Sequence, residues 1–535
     1  MIFASRSPTG KAVAVVRARS PLALVLLALV WIVPAAAAPP AALSEKLEAV
    51  IEAPDYKHAS WGILVTDAKT GATVYSRNPD AALAPASVTK LFSSAAALVA
   101  LGPDQKQETH VYQRGLALKG TLRGDLILVA SGDLMFGGRT SKDGKIVFKD
   151  KDHTYANGGF GDCEVTDTDP LAALNDLAKQ VKAAGITQID GEVLIDDRLF
   201  ARSRGTGSGP DSISPIVVND NAIDVIVTPG EKEGDPAKVV MRPETSFYTL
   251  DASVGTGSEK SSANLHLLAV GPTQFAVRGK VPVGSKPHVR IYNVDEPTLF
   301  ARALFIEALR RNGVQVQCAV LRPAPSPLPA KSDYEKLRKV ATFTSAPLKD
   351  TLRVTLKVSH NLYASTLPAL LAASKGQTTV ESGLKEQAKI LKELGVDTSA
   401  VSFGGGAGGS PADHASARAT VQVIQGMAKR PEWDAYKAAL PVLGVDGTLS
   451  ESVKEDSPAR GKASAKTGTL IWYDNANERF LLKSKALAGT MTTKNGTELY
   501  FCIIVNNVPL PEGVTSSREG KALGKLCEVL YEHGP

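Results

Sequence analysis

The tetrad Ser87-Val88-Thr89-Lys90 sets a hydroxyl and an amine three positions apart at the start of a stretch with a helical pattern. On a helix, residues i and i+3 share a face, so the Lys90 amine can reach the Ser87 hydroxyl. A serine that attacks an acyl carbon without histidine needs a neutral amine to take its proton, a relay to the leaving group and donors for the oxyanion. Ser87 and Lys90 offer the first pair, and the positive end of the helix dipole favours negative charge beside Ser87. Spacing alone does not single them out, because S-x-x-K recurs by chance about twice in a chain of ordinary composition and this length. Ser382-Gly383-Leu384-Lys385 is the second copy, in a polar helical stretch beside Glu381 and Glu386, where a helix cap and a solvated lysine are expected.

Two further motifs follow Ser87 in order. Ser359-His360-Asn361 precedes a helical run, Leu362 to Ala373, whereas Ser76-Arg77-Asn78 lies before Ser87 and Ser262-Ala263-Asn264 leads into a strand-like segment. Lys466-Thr467-Gly468-Thr469 comes late in the chain; its rival Lys69-Thr70-Gly71 lies before Ser87 and makes a hairpin turn. Gly468 lets a substrate approach the backbone of its strand. Gly404 to Gly409 fits dinucleotide-binding spacing, but no parallel βαβ unit surrounds it, so no cofactor is expected. Ser410, Asp413 and His414 are too close together for a serine triad and are expected to cap the helix that follows. The eight histidines lack ligand spacing, so no metal is expected. Cys163, Cys318, Cys502 and Cys527 form no C-x-x-C; Cys502 with Cys527 is the nearest pair for a disulfide, and buried thiols are the alternative.

These groups need a scaffold. Trp61 to Asp67 and Ala72 to Arg77 have strand character around a turn, and the helix from Ala86 to Leu98 is rich in small residues, which suits close packing at the centre of a domain. From about Lys106 to Arg290 the texture changes to short strands and long loops. Helical patterns then occupy Pro297 to Asn312, Ser345 to Ser374, Ser382 to Leu394 and Ser416 to Ala428. A hairpin, Ala486 to Thr493 with Glu498 to Asn506, turns at Asn495-Gly496 before a last helix, Ser517 to Glu532. The expected fold is α+β, an antiparallel sheet flanked by helices and built from both ends of the chain. Residues 39–105 and 295–535 form this part, with 106–294 as a β-rich insertion.

The first 38 residues carry Arg6, Lys11, Arg17 and Arg19, an apolar run from Leu22 to Val33 and then Ala35 to Ala38, the pattern of a cleaved secretory signal. The run is shorter than the roughly 20 residues a membrane span needs. The formal net charge is +6, of which these four cations supply +4, leaving +2 for the remainder. No basic stripe with interleaved aromatics points to nucleic acid. The mature chain is expected in the periplasm or cell envelope, without a transmembrane helix and at most peripherally attached.

S-x-x-K, S-x-N and K-T-G in that order are shared by penicillin-binding proteins and class A β-lactamases. The sequence resembles the class C low-molecular-mass penicillin-binding proteins over about residues 43 to 530. The likeness extends to Pro85 and Ala86 before Ser87, Ser131-Gly132-Asp133, Leu362-Tyr363-Ala364 after Asn361, Pro441 to Leu449, Ala465 to Leu470 and Ala486 to Gly489. The insertion between the first two motifs is this family's hallmark, and β-lactamases lack it. The resemblance implies a D-alanyl-D-alanine carboxypeptidase/endopeptidase that acts on peptidoglycan stem peptides and is inhibited by β-lactams. It further implies Ser87 as nucleophile, Lys90 as base, Ser359 as relay, backbone N–H groups of Ser87 and Thr469 as oxyanion donors and Asn361 as the holder of the peptide amide. Lys466, with Thr467 and Thr469, would receive the terminal carboxylate. His360, where Asp or Asn is commoner, the sequence Phe403 to Ser410 in place of an acidic loop, and a long Ile471 to Lys485 segment depart from the pattern. They bear on substrate preference and rate. A β-lactamase or esterase on the same scaffold, or a non-catalytic peptidoglycan-binding relic, are the alternatives.

Overall fold

The protein is described from a computed structural model, in residues 41–157 and 163–535. The proposed signal segment, residues 1–38, lies outside the described residues. Among the described residues no helix is long and apolar enough to cross a membrane.

Both ends of the chain meet in one five-stranded antiparallel sheet. Its order is Ala463–Asp474, Arg479–Thr492, Glu498–Pro509, Ser60–Asp67, Thr73–Arg77. Ile63 pairs with Ile503, so residues 440 positions apart share one register. The Ser60–Asp67 strand is buried on both faces, hence the unbroken apolar run Trp61 to Val65. Alternation divides its side chains between two cores. Leu64, with Ala486, Ala488, Cys502 and Ile504, faces helices Thr89–Leu101 and Ala417–Ala428. Trp61, Ile63 and Val65, with Phe501 and Ile503, face helices Ala41–Ile51 and Ser517–His533. Cys502 and Cys527 therefore lie in cores on opposite faces of the sheet, and they are free thiols, as is Cys318.

The helix Thr89–Leu101 is buried all round from Thr89 to Leu98, which its Ser93-Ser94-Ala95-Ala96-Ala97 run permits by letting neighbours approach closely. The helical stretch expected from Ser345 to Ser374 is two helices, Leu348–Lys357 and Asn361–Ser374. The break falls at Ser359, whose φ of 64° is left-handed, and His360 N–H returns to the Thr355 carbonyl at 2.9 Å.

The inserted segment builds a six-stranded mixed sheet around the hairpin Glu108–Leu118/Thr121–Val129 and two three-stranded sheets. Packing does not change at residue 294. The helix Pro297–Arg311 buries Phe300, Leu304, Phe305 and Leu309 in the same core as Val111, Leu122 and Ile223. The strand Arg338–Thr344 pairs with Glu108–Leu118. An amphipathic pattern marks a helix without naming the surface that will cover it, and here that surface is shared with the inserted strands.

Candidate active site

Ser87 stands in a 3₁₀ turn, Ala86–Val88, that feeds directly into the buried helix. Lys90, one turn on, is fully buried, and its Nζ is 2.8 Å from Ser87 Oγ. The same Nζ donates to Asn361 Oδ1 at 2.8 Å and to the Ala407 carbonyl at 2.9 Å. In its neutral form this amine can donate its two N–H bonds to the two acceptors and turn its lone pair to the Ser87 hydroxyl. Burial lowers the Lys90 pKa to about 7, against an upward pull from Asp413.

Lys466 is also fully buried; its Nζ donates to Ser359 Oγ at 2.9 Å and to the Thr467 carbonyl at 2.7 Å. Burial, then the charges of Lys90 and Lys485, hold it well below an ordinary lysine. Two amines in one dry site disfavour each other's charge, so they titrate as a pair. Thr467 Oγ1 lies 2.7 Å from Thr448 Oγ1, and Thr469 Oγ1 accepts from Lys485 Nζ at 2.9 Å. A Cβ at position 468 would come within 2.5 Å of the Pro85 carbonyl and 3.3 Å of Ala86 Cβ, so only glycine lets this strand press on the serine turn.

All eight expected residues, Ser87, Lys90, Ser359, Asn361, Lys466, Thr467, Gly468 and Thr469, thus belong to contacts that converge on one edge of the sheet. The rivals fall elsewhere. Ser382 N–H donates to Thr379 Oγ1 at a helix N-terminus, Asn264 begins a strand of the insertion, and Lys69-Thr70-Gly71 is a turn organised by Asp67. Ser410 and Asp413 do not cap the following helix, whose cap is Ser416. Asp413 instead accepts from Gly404 N–H and Ser410 N–H, both at 2.8 Å, and closes the glycine loop on itself.

That loop has a role at the site that its composition does not reveal. Ala407 offers its carbonyl to Lys90, and the Gly406 carbonyl accepts from Ser93 Oγ at 2.8 Å. Gly408 has φ +89°, and a Cβ there would overlap the Ala86 carbonyl. The run of glycine lets backbone carbonyls lie against the serine helix. A backbone acceptor has no residue type, so only the density of glycine could have drawn attention to it.

The sequence also missed how the insertion grips the second motif. Tyr155 OH donates to the Ser359 carbonyl, and Tyr363 OH donates to Asp220. His360 accepts from Tyr363 N–H at Nδ1 (3.4 Å), stacks on the Tyr363 ring at 3.7 Å, and holds Nε2 3.4 Å from Asp220 Oδ1. Asp220 also takes Arg139 Nη2 at 2.7 Å and His153 Nε2 at 2.9 Å; Arg139 spans Asp152, and Asp224 binds His153 and Arg242. Although burial opposes its charge, Arg139 and His360 keep Asp220 well below the usual carboxylate range. Burial opposes the His153 cation too, yet Asp224, Asp152 and Asp220 raise it to about 10. Burial holds His360 below its ordinary value, against an upward pull from Asp220. Ligand atoms of Asp152, His153 and Asp220 come together, but the Arg139 guanidinium bonds to both carboxylates and supplies the positive charge there.

The helix-flanked antiparallel sheet with a serine and lysine at its edge defines the class of serine peptidases built on the penicillin-binding fold. The chain belongs to the D-Ala-D-Ala carboxypeptidase 3 (S13) family, matched over residues 43–525. It is 29% identical over 486 residues to the D-alanyl-D-alanine carboxypeptidase of Actinomadura sp. (strain R39), covering 87% of this chain and 81% of that one. It is 25% identical over 439 residues to the D-alanyl-D-alanine carboxypeptidase DacB of Haemophilus influenzae, covering 79% and 80%. In fold it is similar to the crystal structure of penicillin binding protein 4 (dacB) from Haemophilus influenzae, with a TM-score of 0.67 at 19% identity over 91% of this chain and 98% of that one.

Replacing Asp220 by Ala would take one carboxylate partner from Arg139 and His153 and the acceptor from Tyr363 OH. Loss of one partner of a buried ion cluster costs about 3–5 kcal/mol. Thermal unfolding of Asp220→Ala against wild type should show a loss of this size; a loss under about 1 kcal/mol would refute the pairing.

Proposed function

We propose that this protein hydrolyses the terminal D-alanyl-D-alanine bond of peptidoglycan stem peptides, and the related cross-links, through an acyl-enzyme on Ser87. The observation that carries this reading is the 2.8 Å approach of a buried, neutral-leaning Lys90 amine to the Ser87 hydroxyl. Family membership and relatives named D-alanyl-D-alanine carboxypeptidase support the substrate class.

In the proposed sequence, Lys90 Nζ takes the Ser87 proton as Oγ attacks the carbonyl carbon of the penultimate D-alanine. The carbonyl oxygen becomes an oxyanion held by the N–H groups of Ser87 and Thr469; one such donor contributes about 3 kcal/mol. Asn361 has its Oδ1 committed to Lys90, which leaves Nδ2 for a substrate carbonyl. Ser359 relays the proton taken by Lys90 to the leaving nitrogen, while Lys466 donates a hydrogen bond to its Oγ at 2.9 Å. The carbon–nitrogen bond breaks, D-alanine departs with its carboxylate released from Lys466, Thr467 and Thr469, and water then hydrolyses the ester and returns the serine proton.

β-Lactams act as inhibitors in this reading because the ring presents the same acyl group and stays tethered to its leaving group. A solved structure of the Haemophilus penicillin binding protein 4 is a complex with a β-lactam. Residues 39–105 and 295–535 hold all the side chains proposed to carry the reaction, and 106–294 is proposed to brace them, with secretion by residues 1–38 into the periplasm or cell envelope. Peptidoglycan is the proposed partner.

A fluorescent penicillin should label the wild type covalently and leave Ser87→Ala unlabelled. A wild type that takes no label would overturn the enzymatic reading, equal labelling of the variant would overturn the nucleophile, and rapid loss of label would make the protein a β-lactamase. The base must be neutral, and its pKa of about 7 places the neutral form above that pH. The second-order acylation rate should therefore fall about tenfold per pH unit below 7 and level off above 8; a rate flat from pH 5 to 9 would remove Lys90 as the base.

A further inference from the structure

The Ala463–Asp474 strand does not end at the site. It runs on into a hairpin with Arg479–Thr492 that carries three exposed aromatic side chains, Trp472, Tyr473 and Phe480, at 49%, 52% and 43% exposure. Tyr473 and Phe480 face each other across the hairpin and their rings pack edge to face at 5.3 Å, whereas Trp472 pairs with Leu481. Asp474 braces the tip by accepting from Ala476 N–H at 3.1 Å and Asn477 Nδ2 at 2.7 Å.

Alternation separates these rings. Ala463 and Ala465 point into the core beneath helix Ser517–His533 and Ile471 packs against it, so Tyr473, two residues on, takes that face. Lys466, Gly468, Leu470 and Trp472 take the other, the face that meets Ser359 and the serine turn. The register shift between Leu470 and Ile471 inserts its extra residue, Lys483, in the partner strand and leaves this alternation intact.

Direction and length follow from the proposed chemistry, on which this inference rests. With the leaving carboxylate at Lys466 and Thr467 and the acyl carbonyl at Thr469 N–H, the rest of the stem runs past Leu470 toward Trp472. The acyl residue is the fourth of a stem pentapeptide, so three residues separate it from the glycan. Extended, they span about 10 Å, and Thr469 to Trp472 is also three strand residues, about 10 Å.

We propose that Trp472 is a platform for the N-acetylated amino sugar that bears the stem peptide. A half-exposed indole presents a flat apolar face and a polar edge, which suits the C–H face of a pyranose ring whose hydroxyl and acetamido groups stay in water. Trp472 is then a specificity residue: it contributes to substrates that carry the sugar and nothing to those that lack it.

The test compares an acylated tripeptide ending in D-Ala-D-Ala with a disaccharide pentapeptide, on wild type, Trp472→Ala and, as an opposite-face control, Tyr473→Ala. Trp472→Ala should raise KM for the disaccharide pentapeptide about five- to tenfold. The tripeptide KM and the penicillin acylation rate should stay within about twofold, and Tyr473→Ala should leave both substrates unaffected. Calorimetry of the disaccharide pentapeptide on Ser87→Ala, with and without Trp472→Ala, reads the same loss without turnover. Equal effects on both substrates, or none, would overturn the platform even with penicillin acylation intact, whereas absent acylation in the wild type would overturn the site reading itself. Loss of binding to anionic phospholipid vesicles, or of a dimer in sedimentation, with sugar binding unchanged would replace the sugar by a membrane or a second copy and overturn the proposal.

Discussion

The buried amine of Lys90 is the point on which the rest of the structure depends. It touches three segments at once: the serine turn through Ser87, the second motif through Asn361 and the glycine loop through Ala407. An amine taken fully out of water loses stabilisation of its charged form, and only good hydrogen-bond acceptors on every side keep it from being a liability. Here the acceptors are those a neutral amine can use, so the contacts that satisfy burial also leave a lone pair for the neighbouring hydroxyl. The helix of small residues, the glycines of the 404–409 loop and the break between two helices at Ser359 can each be understood as the packing needed to close this space without a side chain intruding.

The same constraint explains why the inserted segment matters to a reaction it does not carry. Ser359 is held at a left-handed φ, a conformation that costs a non-glycine residue about 1–2 kcal/mol and persists only if its neighbours enforce it. Lys466 fixes its hydroxyl, and Tyr155, from the insertion, fixes its carbonyl. Behind Tyr363 and His360, three cations, Arg139, His153 and Arg242, meet three carboxylates, Asp152, Asp220 and Asp224. Such a buried and balanced cluster is weak as a source of net stability but severe in what it excludes, because any arrangement that separates its members leaves a charge in a dry interior.

Legibility in the sequence followed residue type. Ser87, Lys90, Ser359, Asn361 and Lys466 could be found because their chemistry demands particular side chains at short spacings; order along the chain removed Ser76 and Lys69, and local context removed Ser382 and Ser262. The strands at both ends were visible as apolar runs between turns, since burial on two faces leaves a strong pattern. Ala407 was invisible because it acts through its backbone. Asp220 and Tyr155 were invisible for a different reason: both are ordinary residues in a loop-rich segment, and only folding brings them against a motif that begins at Ser359. The helix Pro297–Arg311 was found as a helix and grouped with residues 295–535, although its apolar side shares a core with the inserted strands, since its pattern reports that one side is covered and not by which core.

The sheet's exposed edge ties these observations to substrate binding. Antiparallel sheets must cover or blunt an edge strand, because its free N–H and C=O groups will pair with another chain. Along the Ala463–Asp474 strand the cover is the segment 441–443: Ala465 N–H donates to Pro441 O and Leu443 N–H to Ala463 O, both at 2.9 Å. That cover stops one residue before Lys466. From there the strand bonds to Arg479–Thr492 on its inner side, while its outer side faces the serine turn across Gly468. An open edge that begins at the residue whose amine meets Ser359 suits the addition of a short extended peptide, whose main chain would supply affinity while Lys466 and the threonines fix its end. In the proposed reaction, the liability that other sheets suppress is, on this strand, the means of binding.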